Sequence, residues 1–318
     1  MKPDVLLIWP SRPRQTVMLE ETYTLHRHDL AKDPEALVGE VGTRITAAAT
    51  TGAKGLARNL IERLPNLKLV ASAGVGYDTI DIAACNERGI LVTNTPDVLT
   101  DDVADLGLAL ILATQRGLVR GDRWVREGRW KREGMMPLMT TLSGKRLGIV
   151  GLGRIGKAVA LRALPLGMEI SYFGRSRQSA VPYRYYDDLQ AMCRDVDVLI
   201  LTCSGGEATR NLVNAEVLKA LGPKGTLINI ARGTVVDEPA LIEALKAGAI
   251  AGAGLDVFAS EPDANEALFA MDNVVLYPHH SSGTVETRDA MAQLVVDNLA
   301  AFFAGKPLLT PVNLPPLA

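Results

Sequence analysis

The chain has 318 residues, enough for about two domains at roughly 150 residues each. Hydrophobic residues make up 47% and charged residues 22%, a balance that excludes a disordered chain. Lys plus Arg number 34 and Asp plus Glu 36, leaving a formal net charge of -2; neither nucleic acid nor an anionic membrane is expected as a partner, and any anion site must be local.

In chain order, short apolar runs alternate with amphipathic stretches. Residues 5–9, 45–49, 67–72 and 90–93 read as strands, with helices over 57–64 and 80–88. The rhythm resumes with strands over 146–150, 169–173, 198–202, 226–230, 252–257 and 274–277. Alternation of this kind implies parallel βαβ units, and runs apolar throughout imply sheets covered on both faces, so the fold class is α/β with doubly wound parallel sheets. Between the two halves, residues 101–116 form an apolar helix candidate that opens on Asp101 and Asp102, where negative charge suits the helix dipole. Residues 117–143 carry Trp124, Trp130, Met135, Met136 and Met139 among many charges, too rich for a plain linker, and read as a dimer arm. A late helix over 287–303, with no strand pattern after it, is expected to return to the first domain, followed by a proline-rich tail from Pro307. The apolar run at 5–9 is shorter than a signal-peptide core of about 7–15 residues, and no stretch approaches the roughly 20 needed to span a bilayer. Cys85, Cys193 and Cys203 lie far apart, so no zinc site, other metal site or disulfide framework is expected, and a cytoplasmic protein with free thiols is the reading.

The strand at 146–150 runs directly into Gly151-Leu152-Gly153-Arg154-Ile155-Gly156, and a helical pattern follows. The first glycine permits the tight turn, the second lets backbone approach a pyrophosphate, and the third lets the helix lie close to the strand. Unpaired amides at the helix start then face the pyrophosphate. The next strand, 169–173, ends in Gly174-Arg175-Ser176-Arg177. An NAD site would place an acid there for the ribose hydroxyl; two guanidinium groups flanking a hydroxyl suit a 2′-phosphate instead, so NADP(H) is the expected cofactor. Pro165, late in the helix after the glycine loop, is expected to kink or end it.

Three candidates for chemistry follow strands of the second half: Arg232 after 226–230, Glu261 after 252–257 and His279 after 274–277. Ligands in open parallel sheets bind beyond the carboxyl ends of the strands. Reducing a 2-oxo acid requires a grip on the carboxylate, a polarised carbonyl and a proton for the developing alkoxide. Arg232 suits the first two tasks. His279 suits the third, since imidazole titrates near about 6.5, and Glu261 can hydrogen-bond it and favour imidazolium. His280 is the competing donor, and spacing alone does not choose between the neighbours. A second glycine loop, Ala73-Gly74-Val75-Gly76-Tyr77-Asp78, could form an anion nest for the carboxylate.

These motifs, with Asn229-Ile230-Ala231-Arg232-Gly233-Thr234-Val235-Val236-Asp237-Glu238, Gly254-Leu255-Asp256-Val257-Phe258, Glu261-Pro262 and Pro278-His279, resemble the D-isomer-specific 2-hydroxyacid dehydrogenases over nearly the whole chain. The Gly174-Arg175-Ser176-Arg177 turn and Asp102-Val103-Ala104-Asp105 resemble the glyoxylate and hydroxypyruvate reductases, a subgroup that includes hydroxyphenylpyruvate reductases. The resemblance implies a catalytic triad of Arg232, Glu261 and His279, which favours His279 over His280, and substrate amides at Val75 and Gly76. It implies cofactor contacts from Gly151, Gly153, Arg154, Ile155, Gly156, Gly174, Arg175, Ser176, Arg177, Cys203, Thr209, Ala231, Ser281 and Ser282, and from Asp256 on the nicotinamide carboxamide. The implied fold is two Rossmann-like domains, one flavodoxin-like and one dinucleotide-binding, with a cleft between them. Residues 1–98 with 285–318 would bind substrate, and residues 99–284 dinucleotide, with dimers forming through the latter. The expected activity is NADPH-dependent reduction of a small 2-oxo acid such as glyoxylate or hydroxypyruvate. A dinucleotide-sensing corepressor and an aryl-pyruvate reductase are the alternatives. Two departures stand out: His280-Ser281-Ser282-Gly283-Thr284 replaces the family's x-Gly-Ser-Ala-Thr, and Ser204-Gly205-Gly206-Glu207-Ala208 lacks the usual prolines before Thr209.

Overall fold

A computed structural model describes residues 2–313; residues 314–318, the end of the proline-rich tail, lie outside the described residues. The chain divides into two compact units, Met1–Leu99 with Ser282–Ala318, and Thr100–Ser281.

The first unit holds β1 (Asp4–Leu7), α1 (Pro13–Thr22), β2 (Thr24–Arg27), α2 (Pro34–Val41), β3 (Ala47–Thr51), α3 (Arg58–Glu62), β4 (Leu69–Ala73), α4 (Ile82–Glu87) and β5 (Leu91–Thr93). Its five parallel strands run in the order β2-β1-β3-β4-β5, the flavodoxin-like order, whose switch point lies between β1 and β3. Strands β3 and β4 are buried along almost their full length, as a sheet covered on both faces requires. Leu6, Ala48, Val70 and Val92 meet Val38, Ile61 and Ala84 from α2, α3 and α4 in one core. Edge strand β2 is only partly buried and carries His26 and Arg27, which is why residues 10–44 show no clean strand signal.

The second unit opens with α5 (Thr100–Arg116), α6 (Leu118–Arg126) and α7 (Arg129–Glu133). It continues through β6 (Arg146–Val150), α8 (Arg154–Ala163), β7 (Glu169–Phe173), β8 (Arg184–Tyr186), α9 (Leu189–Asp195), β9 (Val198–Leu201), α10 (Ala215–Leu221), β10 (Thr226–Asn229), α11 (Glu238–Lys246), β11 (Gly252–Leu255) and β12 (Val274–Leu276). All seven strands are parallel, in the order β12-β11-β10-β9-β6-β7-β8. The order reverses between β6 and β9, the switch point at which a Rossmann sheet opens its crevice. Helices α9, α10 and α11 cover one face through Met192, Leu218 and Leu241, while α5 and α8 pack together on the other. Gly107 of α5 lets that helix sit close to the sheet, since a Cβ there would come 2.8 Å from Ile230 Cδ1. Helix α8 ends at Ala163, and Leu164–Leu166 with Pro165 form a single tighter turn before Gly167 at φ 74°, the early termination expected from the proline.

The last helix, α12 (Val285–Phe303), belongs to the first unit, where it packs on β4 and α1 through Met291, Val295 and Leu299. The segment after it does more than trail away. The Val312 amide donates to the Val92 carbonyl, and Asn313 accepts from the Val92 amide while donating to the Ile90 carbonyl, so the tail caps the open edge of β5. Among the described residues no helix is long and apolar enough to cross a membrane.

Candidate active site

In the second unit the glycine loop sits at the carboxyl end of β6, beside the reversal in strand order. Gly151 takes φ 92°, and a Cβ on it would stand 2.7 Å from the Cys203 backbone at the end of β9, so this crossing tolerates no side chain. At Gly156 a Cβ would press into the Gly151 carbonyl and the Thr202 hydroxyl, so its absence lets α8 lie against the strand. Gly153 differs, because a Cβ there would meet nothing within 4 Å. The fold does not need that space, and it borders the start of α8, where Arg154 and Ile155 present the first-turn amides. These features fit a pyrophosphate.

At the end of β7 the turn is anchored on both sides. Tyr185 Oη donates to the Gly174 carbonyl at 3.2 Å, and the Gln178 amide donates to Tyr172 Oη at 2.6 Å. Gln178 Nε2 reaches the Leu152 carbonyl of the glycine loop at 2.8 Å. Arg175, Ser176 and Arg177 are left exposed between these anchors, and among the described residues no acceptor engages either guanidinium. Cys203 borders the same crevice, with burial pushing its thiol up to about 11. Thr209 closes the following loop by donating to the Ser204 carbonyl at 2.8 Å.

Arg232, Glu261 and His279 follow β10, β11 and β12, three adjacent strands, on one edge of one sheet. His279 Nδ1 lies 2.6 Å from Glu261 Oε2. A carboxylate only accepts, so Nδ1 carries the hydrogen and Nε2 remains for a reacting group. The Phe258 amide donates to the other Glu261 oxygen at 3.0 Å. Burial pushes the Glu261 carboxyl up, but the His279 and Phe258 hydrogen bonds, with the charges of His279 and Arg232, outweigh it and hold the group below the ordinary carboxylate value. Arg232 is partly buried and donates from Nη1 to the Ala231 carbonyl at 2.8 Å. The imidazole of His280, the competing donor, hydrogen-bonds no carboxylate among the described residues; its ring lies against Tyr277.

The three loops rest on buried polar side chains that the sequence reading did not single out as supports. Asn229, 1% exposed, donates to the Arg232 carbonyl at 2.9 Å and accepts from the Ala231 amide at 3.0 Å. Asp256, fully buried, accepts the His280 amide at 2.8 Å and the Ser281 amide at 3.2 Å, and its carbonyl takes the His279 amide at 2.7 Å. His279 is thereby held at φ 47°, a left-handed conformation uncommon for a residue with a side chain and tolerated where the surroundings fix it. Glu238 accepts the Ala259 amide at 2.9 Å. A signal existed for Asn229, an amide closing an otherwise apolar strand, but nothing local marks Glu238, which follows an ordinary helix cap at Asp237.

Val75, Gly76 and Ser282 belong to the first unit. There Gly74 takes φ 130° after β4 and donates its amide to Thr95 Oγ1, while Asn94 Nδ2 donates to the Val75 carbonyl at 2.9 Å. Among the described residues the amides of Val75 and Gly76 donate to no protein acceptor. The Ser282 carbonyl accepts from Arg288 Nε at 3.0 Å.

Residues 108–281 match the family model of the D-isomer specific 2-hydroxyacid dehydrogenase, NAD binding domain. A hydroxyphenylpyruvate reductase of Plectranthus scutellarioides is 48% identical over 308 residues, covering 97% of this chain and 98% of the relative. A glyoxylate/hydroxypyruvate reductase of Arabidopsis thaliana is also 48% identical over 308 residues, with the same coverage. Among solved structures, an NADPH-dependent glyoxylate/hydroxypyruvate reductase from Sinorhizobium meliloti in complex with NADP and malonate superposes with a TM-score of 0.92 at 42% identity, covering 100% of both chains. With the two parallel sheets, the glycine loop and the Glu261–His279 pair, these matches show that the chain belongs to the D-isomer specific 2-hydroxyacid dehydrogenases.

Proposed function

We propose that this enzyme reduces a small 2-oxo acid, of the glyoxylate or hydroxypyruvate kind, to the D-2-hydroxy acid with NADPH. The observation that carries the reading is the carboxylate-backed imidazole on the same sheet edge as Arg232 and the glycine loop. Gly151, Gly153, Arg154, Ile155 and Gly156 would hold the pyrophosphate. Arg175, Ser176 and Arg177, with Gly174 as their anchor, would take the 2′-phosphate, which an acid at that position would repel. Cys203, Thr209, Ala231 and Ser281 border the rest of the dinucleotide in this reading, with Asp256 and Ser282 on the nicotinamide side. When bound, the reduced nicotinamide supplies the hydride for C2 of the substrate.

The residues do the remaining work. Arg232 pairs with the substrate carboxylate and draws electron density from the carbonyl, while the Val75 and Gly76 amides, which donate to no protein acceptor among the described residues, are of the kind that binds a carboxylate. His279 delivers the proton to the developing alkoxide from Nε2, while Glu261 fixes the ring through Nδ1 and stabilises its protonated form. The Sinorhizobium relative binds NADP, and the two plant relatives are named for glyoxylate, hydroxypyruvate and hydroxyphenylpyruvate, so aryl pyruvates fall within the same chemistry.

A homodimer is part of the proposal. Trp124 anchors the arm through Arg129, 3.7 Å above its ring, and through the Gly134 carbonyl. Trp130, Met135 and Leu138 are left 62%, 83% and 92% exposed, an apolar surface that a second copy would cover. A cavity of about 300 Å³ beside the arm, at the amino ends of β10–β12 and so away from the catalytic loops, is lined by Arg120 and Thr114, whose Nε and Oγ1 have no hydrogen-bond partner among the described residues. A second copy could supply the missing acceptor. The three free thiols suit a reducing compartment, and the cytoplasm is the location we infer.

The test is a panel of glyoxylate, hydroxypyruvate and phenylpyruvate assayed with NADPH and with NADH. Turnover of at least one acid with kcat/KM higher for NADPH is expected. Activity with NADH alone, or with none of the acids, would overturn the reading.

A further inference from the structure

Glu238 has no part in the reaction just derived, yet it is a carboxylate only 8% exposed. Removing such a group from water is unfavourable unless hydrogen bonds replace its hydration. Glu238 opens α11, next to the Asp237 cap, and its Oε2 accepts the Ala259 amide at 2.9 Å. Ala259 lies in the loop that carries Glu261. One residue earlier, the Phe258 amide holds Glu261 Oε1 at 3.0 Å, and Glu261 Oε2 meets His279 Nδ1 at 2.6 Å. The Phe258 carbonyl fills the space where Gly233 would carry a Cβ, so the turn after Arg232 and the loop before Glu261 are pressed together at this point.

We propose that Glu238 is a positioning residue for the catalytic pair: by holding the Ala259 amide it fixes the loop whose neighbouring amide aims Glu261 at His279. The inference deepens the reductase reading and rests on it. Any well-placed acceptor would serve, so the negative charge itself is not required. The ionisable groups at the centre are Glu261, His279 and Arg232.

The experiment compares Glu238→Ala and Glu238→Gln in the full chain. The readouts are kcat and KM for the preferred acid, NADPH affinity, the pH dependence of kcat/KM for reduction, and the low-field proton resonance of the His279–Glu261 hydrogen bond. That resonance is assigned by its loss in Glu261→Gln. Glu238→Ala is expected to lower kcat by about 10–100-fold, since loss of precise placement costs on that order, while NADPH affinity stays within about twofold. Reduction needs the protonated ring, so weaker support from Glu261 moves the alkaline limb of the profile to lower pH, and the resonance fades. Glu238→Gln, whose amide oxygen still accepts from Ala259, is expected to recover most of kcat, the limb and the resonance. Should the Ala variant not fold, Glu238→Met keeps the volume without a strong acceptor and carries the same expectation. A retained resonance with an unmoved limb in Glu238→Ala, whatever its melting temperature, would overturn the inference. So would a Gln variant as impaired as the Ala variant. A wild-type protein without NADPH turnover would refute the function, and the resonance would still decide the role of Glu238.

Discussion

In the proposed reaction His279 and Arg175 carry two separable halves of the chemistry, one the proton and the other the cofactor choice. His279→Ala is expected to lower kcat by about 10²–10⁴-fold, the usual range for losing a general acid, with NADPH affinity retained when followed by nicotinamide fluorescence. Full activity in that variant would remove His279 from its role. Arg175→Ala is expected to weaken NADPH by about tenfold or more, equivalent to ~1.4 kcal/mol, and to leave NADH almost unchanged; equal loss for both would argue against a phosphate at that turn. Glu261 adds a pH dependence. Its folded carboxyl lies below the ordinary value, so its contribution to stability is complete above the unfolded value and is lost as pH falls through the folded one. The Tm gap between wild type and Glu261→Gln is therefore expected at neutral pH and should close in acid; a gap independent of pH would contradict the pairing. The charged candidates were legible because each follows the end of a strand. Their supports were not. Asn229 and Glu238 are polar groups in ordinary-looking sequence until the fold buries them, and Asp256 reads as a cofactor contact by resemblance alone.

Strands and helices followed the hydrophobic pattern closely wherever both sheet faces are covered. The strands read at 146–150 and 169–173 are β6 and β7 residue for residue, and the helix read at 101–116 is α5 with one more residue at its start. The pattern fell silent at one edge of each sheet. Strands β2 and β8 are short, partly exposed and carry Arg or His, so their polar side chains hide the period of two. Helix α1 was equally hidden, with Gln15 and Thr16 beside Leu19 on its buried side. The tail's pairing with β5 could not be read either, since Pro311 sits within it and argues locally against a strand. At this scale Gly233 offers the sharpest test. Gly233→Ala forces a methyl into the Phe258 carbonyl, and overpacking of this kind costs about 1–3 kcal/mol. A Tm lowered by several degrees, with kcat/KM reduced alongside, is expected from melting and steady-state assays; a variant indistinguishable from wild type would show that the two loops are not pressed together.

For the whole molecule, the proposed homodimer rests on the arm. Scattering or sedimentation should give twice the chain mass for wild type, and Met135→Asp with Leu138→Asp should return it to a monomer; a monomeric wild type would leave the exposed apolar surface unexplained. The aromatic and Met content of residues 117–143 was visible in the sequence, while the way Trp124 folds inward and Trp130 outward was not. The most direct test of the reaction is isotopic. NADPH carrying deuterium at both C4 positions of the nicotinamide is mixed with hydroxypyruvate and the purified protein, and the product is analysed by mass and by its configuration. D-Glycerate with one deuterium at C2 is the expected result. Unlabelled product, or glycerate of the L configuration, would contradict a hydride delivered to C2 in a site where Arg232 and His279 hold a single face of the ketone.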